Sequence, residues 1–429
     1  MDQSRDRQPS ASDERRALSQ SGNEIQDRID AVWRIDGANV VATIARMVGD
    51  VGLAEDLAQD AITDALTSWP RSGTPRNPAA WLTTVAKRKA IDNWRRRERL
   101  DKRHRAIAHE LETQSDDHWD PLDDDVLKLI FTACHPVLGR EAQVALTLRV
   151  VGGLNSEEIA RMFLVSVPTI QQRIVRAKKT LASADIPFEV PEPEHWDERL
   201  GSVLSTLYLI FTEGYAATSG DRWIRSDLAS EALRLGRVLA ELVPREAEVH
   251  GLVALMEFQA SRFAARVTAD GSPVLLADQD RTRWDHSQIR RGSRALARAD
   301  SLGHGRGNYA LQAAIAQCHA TAADVDTTDW NRIVELYHAL AELTPNPVVE
   351  LNRAVAVSKI KGPEAALKIV DELADSASIA DSHLLPSVRG ELLAQLGRRE
   401  AAKLQLEAAA HLCGNTRERQ VLLDKAAAM

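Results

Sequence analysis

The stretch Ser166–Lys179, SVPTIQQRIVRAKK, carries Arg173, Arg176, Lys178 and Lys179 and no acid, in a chain of 429 residues with a formal net charge of -8. Glutamine, arginine and lysine together have the donors and acceptors that read a DNA major groove. Gln bonds adenine through two atoms, Arg does so with guanine, and Lys or Arg hold phosphates. Such reading needs a rigid carrier. Ser166 is placed to N-cap a helix, and Pro168 falls in its first turn, where a missing N–H costs nothing. Ile170, Ile174, Ala177 and Leu181 recur at helical spacing. One side therefore packs, and the opposite side presents Gln172, Val175, Arg176 and Lys179.

The residues just before it, GGLNSEEIARMFLV, predict a partner helix. Asn155 with Glu158 three residues on is a capping box, and Ile159, Phe163 and Leu164 form an apolar stripe. Two short helices with a polar junction at Val165–Ser166 make a helix-turn-helix pattern, the second helix being the reader. The competing reading is an amphipathic helix whose cations are merely solvated.

A second basic run lies upstream. Ala86–Arg105 holds ten Lys+Arg against Asp92, Glu98 and Asp101. The pattern predicts a long helix over Ala79–Leu100, preceded by a Pro-rich loop, Pro70–Pro78. Trp81 and Trp94 lie among its cations, which suits single-stranded DNA: bases stack on rings while cations follow the backbone. Helix-spaced tryptophans also suit a packed core, and both readings stand. Upstream again, GLAEDLAQDAITDALTSW predicts a helix with Leu57, Ala61, Ile62 and Leu66 facing in and Asp56, Gln59, Asp60 and Asp64 outside.

Charge is zoned. Residues 1–183 hold 27 Lys+Arg and 27 Asp+Glu, whereas residues 184–429 hold 27 and 35, so the net acidity belongs to the C-terminal part. Between the basic run and the helix pair, HELETQSDDHWDPLDDD has eight acids and no base. Zoning of this kind limits adhesion to random DNA while leaving two local footprints. Aromatic residues are only 4% of a chain that is 44% apolar, and Ala and Leu abound, which predicts an all-α fold. Three well-separated cysteines, Cys134, Cys318 and Cys413, predict buried free thiols and a reducing cytoplasm. No Cys or His pair stands at ligand spacing, so no metal or other cofactor is expected. No apolar run reaches the roughly 20 residues that span a bilayer, so no membrane association is expected.

The expected organisation is a disordered tail (1–23), a helical unit (24–105), an acidic linker (106–123), a second helical unit ending in the helix-turn-helix (124–183), a Pro-rich linker (184–196) and a larger helical extension (197–429). The extension repeats: NPVVELNRAVAVSKIKGPEAALKIVDELA and DSHLLPSVRGELLAQLGRREAAKLQLEAAA are each helix, Gly turn, helix, with Gly362 and Gly397 in register. That period is tetratricopeptide-like and predicts a concave surface for a protein or peptide partner.

Two DNA-facing units joined by an acidic linker resemble the extracytoplasmic-function group of sigma-70-family sigma factors, and the extension resembles that of a subgroup with a C-terminal tetratricopeptide-type domain. The resemblance implies a non-enzymatic subunit that binds core RNA polymerase and directs promoter recognition, melting and initiation, regulated by its own extension. It implies polymerase contacts at Asp56, Gln59 and Asp60. It places −10 contacts at Arg76, Asn77, Trp81, Lys87, Arg88, Asn93, Arg95, Arg96 and Arg97. It places −35 contacts at Pro168, Thr169, Gln171, Gln172, Arg173, Arg176 and Lys179. Gln171 and Pro168 depart from the commoner family residues, so no promoter sequence carries over. The alternatives are a stand-alone helix-turn-helix regulator with a ligand- or protein-binding repeat domain, and an enzymatic extension using Glu213, Tyr215, His250 and Glu257. The latter lacks a phosphate loop, nucleophile elbow or metal-ligand spacing.

Overall fold

The computed structural model describes residues 11–97, 123–163, 165–215, 226–268, 274–373, 382–414 and 416–429, with side chains from residue 25 onward apart from 96, 97, 123, 124 and 417. The fold is all-α, with no strand among the described residues. The chain divides into two compact units, Met1–Thr206 and Leu207–Met429.

The N-terminal unit opens with helices α1 (Ala11–Val48), α2 (Val51–Ser72) and α3 (Pro78–Arg97). Asp50 caps α2, its carboxylate accepting from the Leu53 N–H at 3.0 Å. The three helices bury Ile29, Trp33, Val41 and Ile44 from α1, Leu57, Ala61 and Trp69 from α2, and Leu82, Ala86 and Trp94 from α3. Three expectations change here. The backbone is helical from Ala11, where a tail was read, because Glu14, Arg15, Arg16, Ala17 and Leu18 are strong helix formers. Helix α2 runs through Pro70 to Ser72, so the loop is shorter than Pro70–Pro78. Pro70 sits in the last turn, and Gly73 (φ 80) ends the helix with its N–H on the Trp69 carbonyl. Leu66 is exposed; Ala65 and Trp69 continue the buried stripe instead. The acidic linker lies outside the described residues up to 122, and Asp123 starts the next helix.

Helices α4 (Asp123–Ala133), α5 (Arg140–Val150), α6 (Ser156–Phe163) and α7 (Val167–Ser183) follow. After a loop through 184–195, helix α8 (Trp196–Tyr215) crosses the unit boundary. Its first half belongs to the N-terminal unit, not to the extension as the 197 boundary expected. The Phe131 and Trp196 rings lie 5.2 Å apart. Arg199 donates to the Phe131 carbonyl at 2.9 Å and Ser202 to the Cys134 carbonyl at 2.7 Å. Gln143, 7% exposed, donates to the Cys134 and His135 carbonyls and to Ser202. Buried carbonyls at the end of α4 are thus satisfied by α5 and α8 together.

The C-terminal unit contains α9 (Ser226–Leu242), α10 (Ala247–Ala260), α11 (His286–Ser301), α12 (Asn308–Thr321), α13 (Trp330–Leu343), α14 (Pro347–Lys361), α15 (Pro363–Leu373), α16 (Leu384–Gln395), α17 (Arg399–Leu412) and α18 (Thr416–Ala427). Helix α10 is buried almost all round, through Val249, Leu252, Val253, Leu255, Met256 and Phe258, as a helix without a polar face must be. Gly251 permits its contact with α12: a Cβ there would stand 2.7 Å from the Ala310 nitrogen. One turn earlier, Glu248 accepts from the Tyr309 and Ala310 N–H groups at 2.7 and 3.1 Å, capping α12 from another helix. The sequence repeat becomes two helical hairpins, α14–α15 and α16–α17, turning at Gly362 (φ 84) and Gly397 (φ 73). Glycine takes this left-handed backbone without a Cβ penalty.

The segment Asp278–Asp285, DQDRTRWD, is a structural clamp. Asp280 accepts from the Thr282 N–H at 2.9 Å and Asp285 caps α11. Arg281 donates to the carbonyls of His319 and Ala322, at 2.6 and 2.8 Å, at the end of α12, and its guanidinium lies 4.8 Å from the Trp284 ring. Replacing Arg281 by Ala leaves two helix-end carbonyls without their charged donor. Such bonds contribute about 1.5–3 kcal/mol. Arg281→Ala should lower stability by about 2 kcal/mol in urea denaturation, and an unchanged midpoint would refute the clamp.

Candidate nucleic-acid and polymerase interface

Helices α6 and α7 carry the residues expected to read DNA. The capping box is present: Asn155 Oδ1 accepts from the Glu158 N–H and Glu158 Oε2 from the Asn155 N–H, both at 2.8 Å. Ser166 caps α7 and its hydroxyl accepts from the Thr169 N–H at 3.3 Å. Ile170, Ile174, Ala177 and Leu181 are all buried, as the spacing predicts. Pro168, Gln171, Gln172, Arg176 and Lys179 are exposed, and Thr169 and Arg173 are half-buried. Arg173 pairs with Glu141 at 2.8 Å, so it leaves the row of free cations.

The second basic helix divides its tryptophans. Trp94 is buried, at 8% exposure, and serves the core. Trp81 is half-buried and meets the Trp69 ring edge-on, with centroids 5.5 Å apart. It therefore keeps a partly open ring. Asn77 caps α3, accepting from the Ala80 N–H at 3.1 Å. Arg76, Arg88 and Arg95 are exposed and Lys87 and Asn93 half-buried. The side chains of Arg96 and Arg97 lie outside the described residues. On α2, Asp56 and Asp60 are exposed and Gln59 is half-buried.

The two groups of sites meet within this unit through a buried carboxylate that the sequence did not single out. Glu55 has a side chain only 4% exposed. It accepts from Arg149 Nε at 2.7 Å and also pairs with Lys178. Lys178 reaches Asp56 as well, at 2.8 Å. Arg34 pairs with Glu158, and Arg46 Nε lies 2.9 Å from the buried Asp125 carboxylate. Small residues make the approach possible. A Cβ on Gly52 would stand 3.2 Å from Lys178 Cβ, and one on Gly153 (φ 69) would stand 3.1 Å from the Trp33 carbonyl oxygen. Glycine spacing was the one available signal for this contact; the charges alone looked like ordinary solvated acids.

Burial by itself pulls the Lys178 ammonium pKa down, but the charges and hydrogen bonds of Glu55 and Asp56 outweigh it, and the net shift is upward from 10.5. The pairing therefore stabilises the unit fully below that ordinary lysine value and is lost as pH rises through the higher folded one. Elsewhere, burial first, only partly offset by Thr147, Thr206 and Arg199, pushes the Cys134 thiol up to about 11. Cys134 and Cys413 are buried and Cys318 is half-buried, none of them in a disulfide.

The residues weighed as an enzymatic site have structural partners. Glu257, 1% exposed, pairs with Arg237 at 2.5 Å and Arg291 at 3.1 Å. Arg266 sits 3.5 Å from the Tyr215 ring centre, and the His250 ring bonds the Pro244 carbonyl at 3.0 Å.

Comparison with known proteins agrees with this anatomy. Residues 37–100 match Sigma-70 region 2 and residues 128–181 match Sigma-70, region 4. Sigma-70 regions 2 and 4 support a sigma-factor role in transcription initiation, that of a non-enzymatic transcription factor with RNA polymerase core and promoter DNA as partners. Residues 199–300 match a family of unknown function, DUF6596. The chain belongs to the same family as an uncharacterized protein of Rhizobium meliloti, with 43% identity over 392 residues, 88% of this chain and 90% of the relative. It is also similar to a "Probable ECF RNA polymerase sigma factor SigI" of Mycobacterium tuberculosis, 29% identical over 175 residues, 39% of this chain and 59% of that protein. No solved structure matches the chain. No helix among the described residues is long and apolar enough to cross a membrane.

The buried carboxylate gives a direct test. Glu55→Gln keeps the shape but takes the carboxylate from Arg149 and leaves Lys178 with Asp56 alone. Breaking a buried pair in this way costs about 3 kcal/mol or more. The variant should unfold at lower urea, while Lys178→Met, which removes one cation with the anion kept, should cost less. Equal stability of wild type and Glu55→Gln would contradict the assignment.

Proposed function

We propose that region 2 engages core polymerase through Asp56, Gln59 and Asp60 and the −10 element through the exposed face of α3 with Arg76, Trp81, Arg88 and Arg95. In this reading α6–α7 is a helix-turn-helix that reads the −35 element through Gln171, Gln172, Arg176 and Lys179, with Pro168 and Thr169 at the entry of the reading helix. The observation that carries it is the split of α7: a fully buried stripe and, opposite, exposed amides and cations without an acid. Bidentate Gln and Arg contacts supply base discrimination, and Lys179 supplies a phosphate contact.

The Lys178 contact adds a regulatory meaning. Asp56 has one neighbour at a time: Lys178 in this arrangement, or a cation of the polymerase clamp. Gln171 stands two turns before Lys178 on the same side of α7. Engagement of polymerase and promoter therefore competes with the contact between regions 2 and 4. The stand-alone regulator reading has no use for exposed acids on α2, and core binding separates the two. Asp60→Arg should weaken binding to core polymerase by a few kcal/mol, since like charges then meet in a partly desolvated interface. Arg176→Ala should cost about 1–3 kcal/mol at its base pair and leave core binding unchanged. Wild-type core affinity in Asp60→Arg would count against the sigma-type contact.

The extension, with its tetratricopeptide-like hairpins, is proposed to be required for transcription. Its cations equal those of the N-terminal part, which makes it a poor polyanion mimic of DNA. Because Trp196, Arg199 and Ser202 complete the N-terminal unit, the informative truncation ends at Thr206. In transcription at matched protein level, residues 1–206 should give less transcript than the full chain. Equal or greater output would favour autoinhibition by the extension.

A further inference from the structure

Three helix ends of the extension converge at its C-terminus. His383 immediately precedes α16, Cys413 immediately follows α17, and Glu418 lies in the first turn of α18. Their ligand atoms all lie within 4.8 Å of one another. His383 Nε2 is 3.3 Å from Glu418 Oε1, and Cys413 Sγ is 3.5 Å from Glu418 Oε2. We propose that His383, Cys413 and Glu418 bind a divalent ion of the zinc class.

The donor set decides the class. One imidazole, one thiolate and one carboxylate suit zinc; a thiolate disfavours magnesium and calcium. Tetrahedral zinc with ordinary bond lengths sets neighbouring nitrogen and oxygen about 3.3 Å apart and sulfur and oxygen about 3.5 Å apart. The two spacings match these values, though to different oxygens of one carboxylate, and the His383 nitrogen and Cys413 sulfur, within 4.8 Å of each other, must settle at about 3.6 Å on binding. Charge also balances: a neutral imidazole, a thiolate and a carboxylate neutralise a dication, which favours a site whose cysteine is only 1% exposed.

Position supplies the fourth ligand. His383 and Glu418 line a cavity of about 400 Å³ whose walls are largely apolar, with Leu384, Val388, Val421 and Leu422 nearby. Cys413 is buried and is not among the residues lining the cavity, whereas His383 and Glu418 are, so the proposal directs the open coordination position toward the cavity. Water or a donor atom of a molecule in the cavity would complete the tetrahedron, as at sites with three protein ligands. Arg419 donates to the Cys413 carbonyl at 3.2 and 2.6 Å, which fixes the loop that aims the sulfur. Binding replaces the S–H···O contact with Glu418: the thiol proton leaves to solvent, the sulfur lone pair goes to the metal, and affinity rises with pH.

The same geometry also suits a hydrogen-bonded chain joining three helix ends, and metal binding separates the two. Tag-free full-length protein, stripped with chelator, is titrated with Co²⁺ and then Zn²⁺. The expected result is one equivalent of Co²⁺ with tetrahedral d–d bands and a thiolate-to-cobalt charge-transfer band. One equivalent of Zn²⁺ should abolish both, and about one proton should be released per metal. Cys413→Ser should lose the charge-transfer band, and His383→Ala should weaken binding at least tenfold. Cys134→Ser and Cys318→Ser should behave as wild type. Should Cys413→Ser misfold by circular dichroism, Glu418→Gln and the wild-type proton count carry the test. Absence of a sulfur band in wild type, or its persistence in folded Cys413→Ser, overturns the proposal. The readout is metal binding alone, so it stands apart from the outcome for polymerase and promoter.

Discussion

A carboxylate removed from water must be neutralised where it stands, and Glu55 is the case around which the N-terminal unit is arranged. Its side chain is 4% exposed and lies between Arg149 of α5 and Lys178 of α7. Neither cation belongs to its own three-helix bundle. The bundle thus buries an acid that it cannot pair, and region 4 supplies both partners. The glycines at 52 and 153 follow from this, because side chains there would hold the two surfaces apart. The outlying pairs Arg34–Glu158 and Arg46–Asp125 orient the same contact. A buried pair of this type can contribute specificity of arrangement more than net stability, which suits the exchange proposed for this contact.

Helix α8 imposes a second constraint. The proline-rich stretch before it reads as a boundary, yet α8 continues past Thr206 into the extension. Gln143 and Ser202 close the buried carbonyls at the end of α4, so the N-terminal unit is incomplete without the first turns of what the sequence assigns to the extension. The Trp196 ring against Phe131 does the same for the apolar side.

Much of this fold was legible because it depends on local periodicity. The stripe Ile170, Ile174, Ala177 and Leu181, the Asn155–Glu158 capping box and the Gly362 and Gly397 turns are each decided within a few residues of chain. Within the expected tail, residues 11–23 are helical: composition there is polar, but the propensity from Glu14 to Leu18 favours helix. Trp94 and Trp81 had the same spacing signal, and only packing against Trp69 and the bundle separates a core ring from a partly open one. Glu55, Lys178 and Arg149 were not legible as a set, since their pairing spans about a hundred residues and depends on how two separately patterned surfaces meet. The same reason hid His383, Cys413 and Glu418: ligand spacing was sought along the chain, whereas three helix ends bring these residues together in space.

Glu158 divides its labour between its two oxygens. Oε2 accepts from the Asn155 N–H within its own helix pair, while Oε1 meets Arg34 of the neighbouring bundle. Had one oxygen served both, separating the two surfaces would also have loosened the start of α6. With the tasks on different atoms, region 4 can leave its seat with the Asn155–Glu158 cap closed and the Ser166 cap of α7 untouched. In the proposed exchange the helix pair would be a quick-release part, carried off whole and ready, with no refolding step between letting go of one surface and gripping the next.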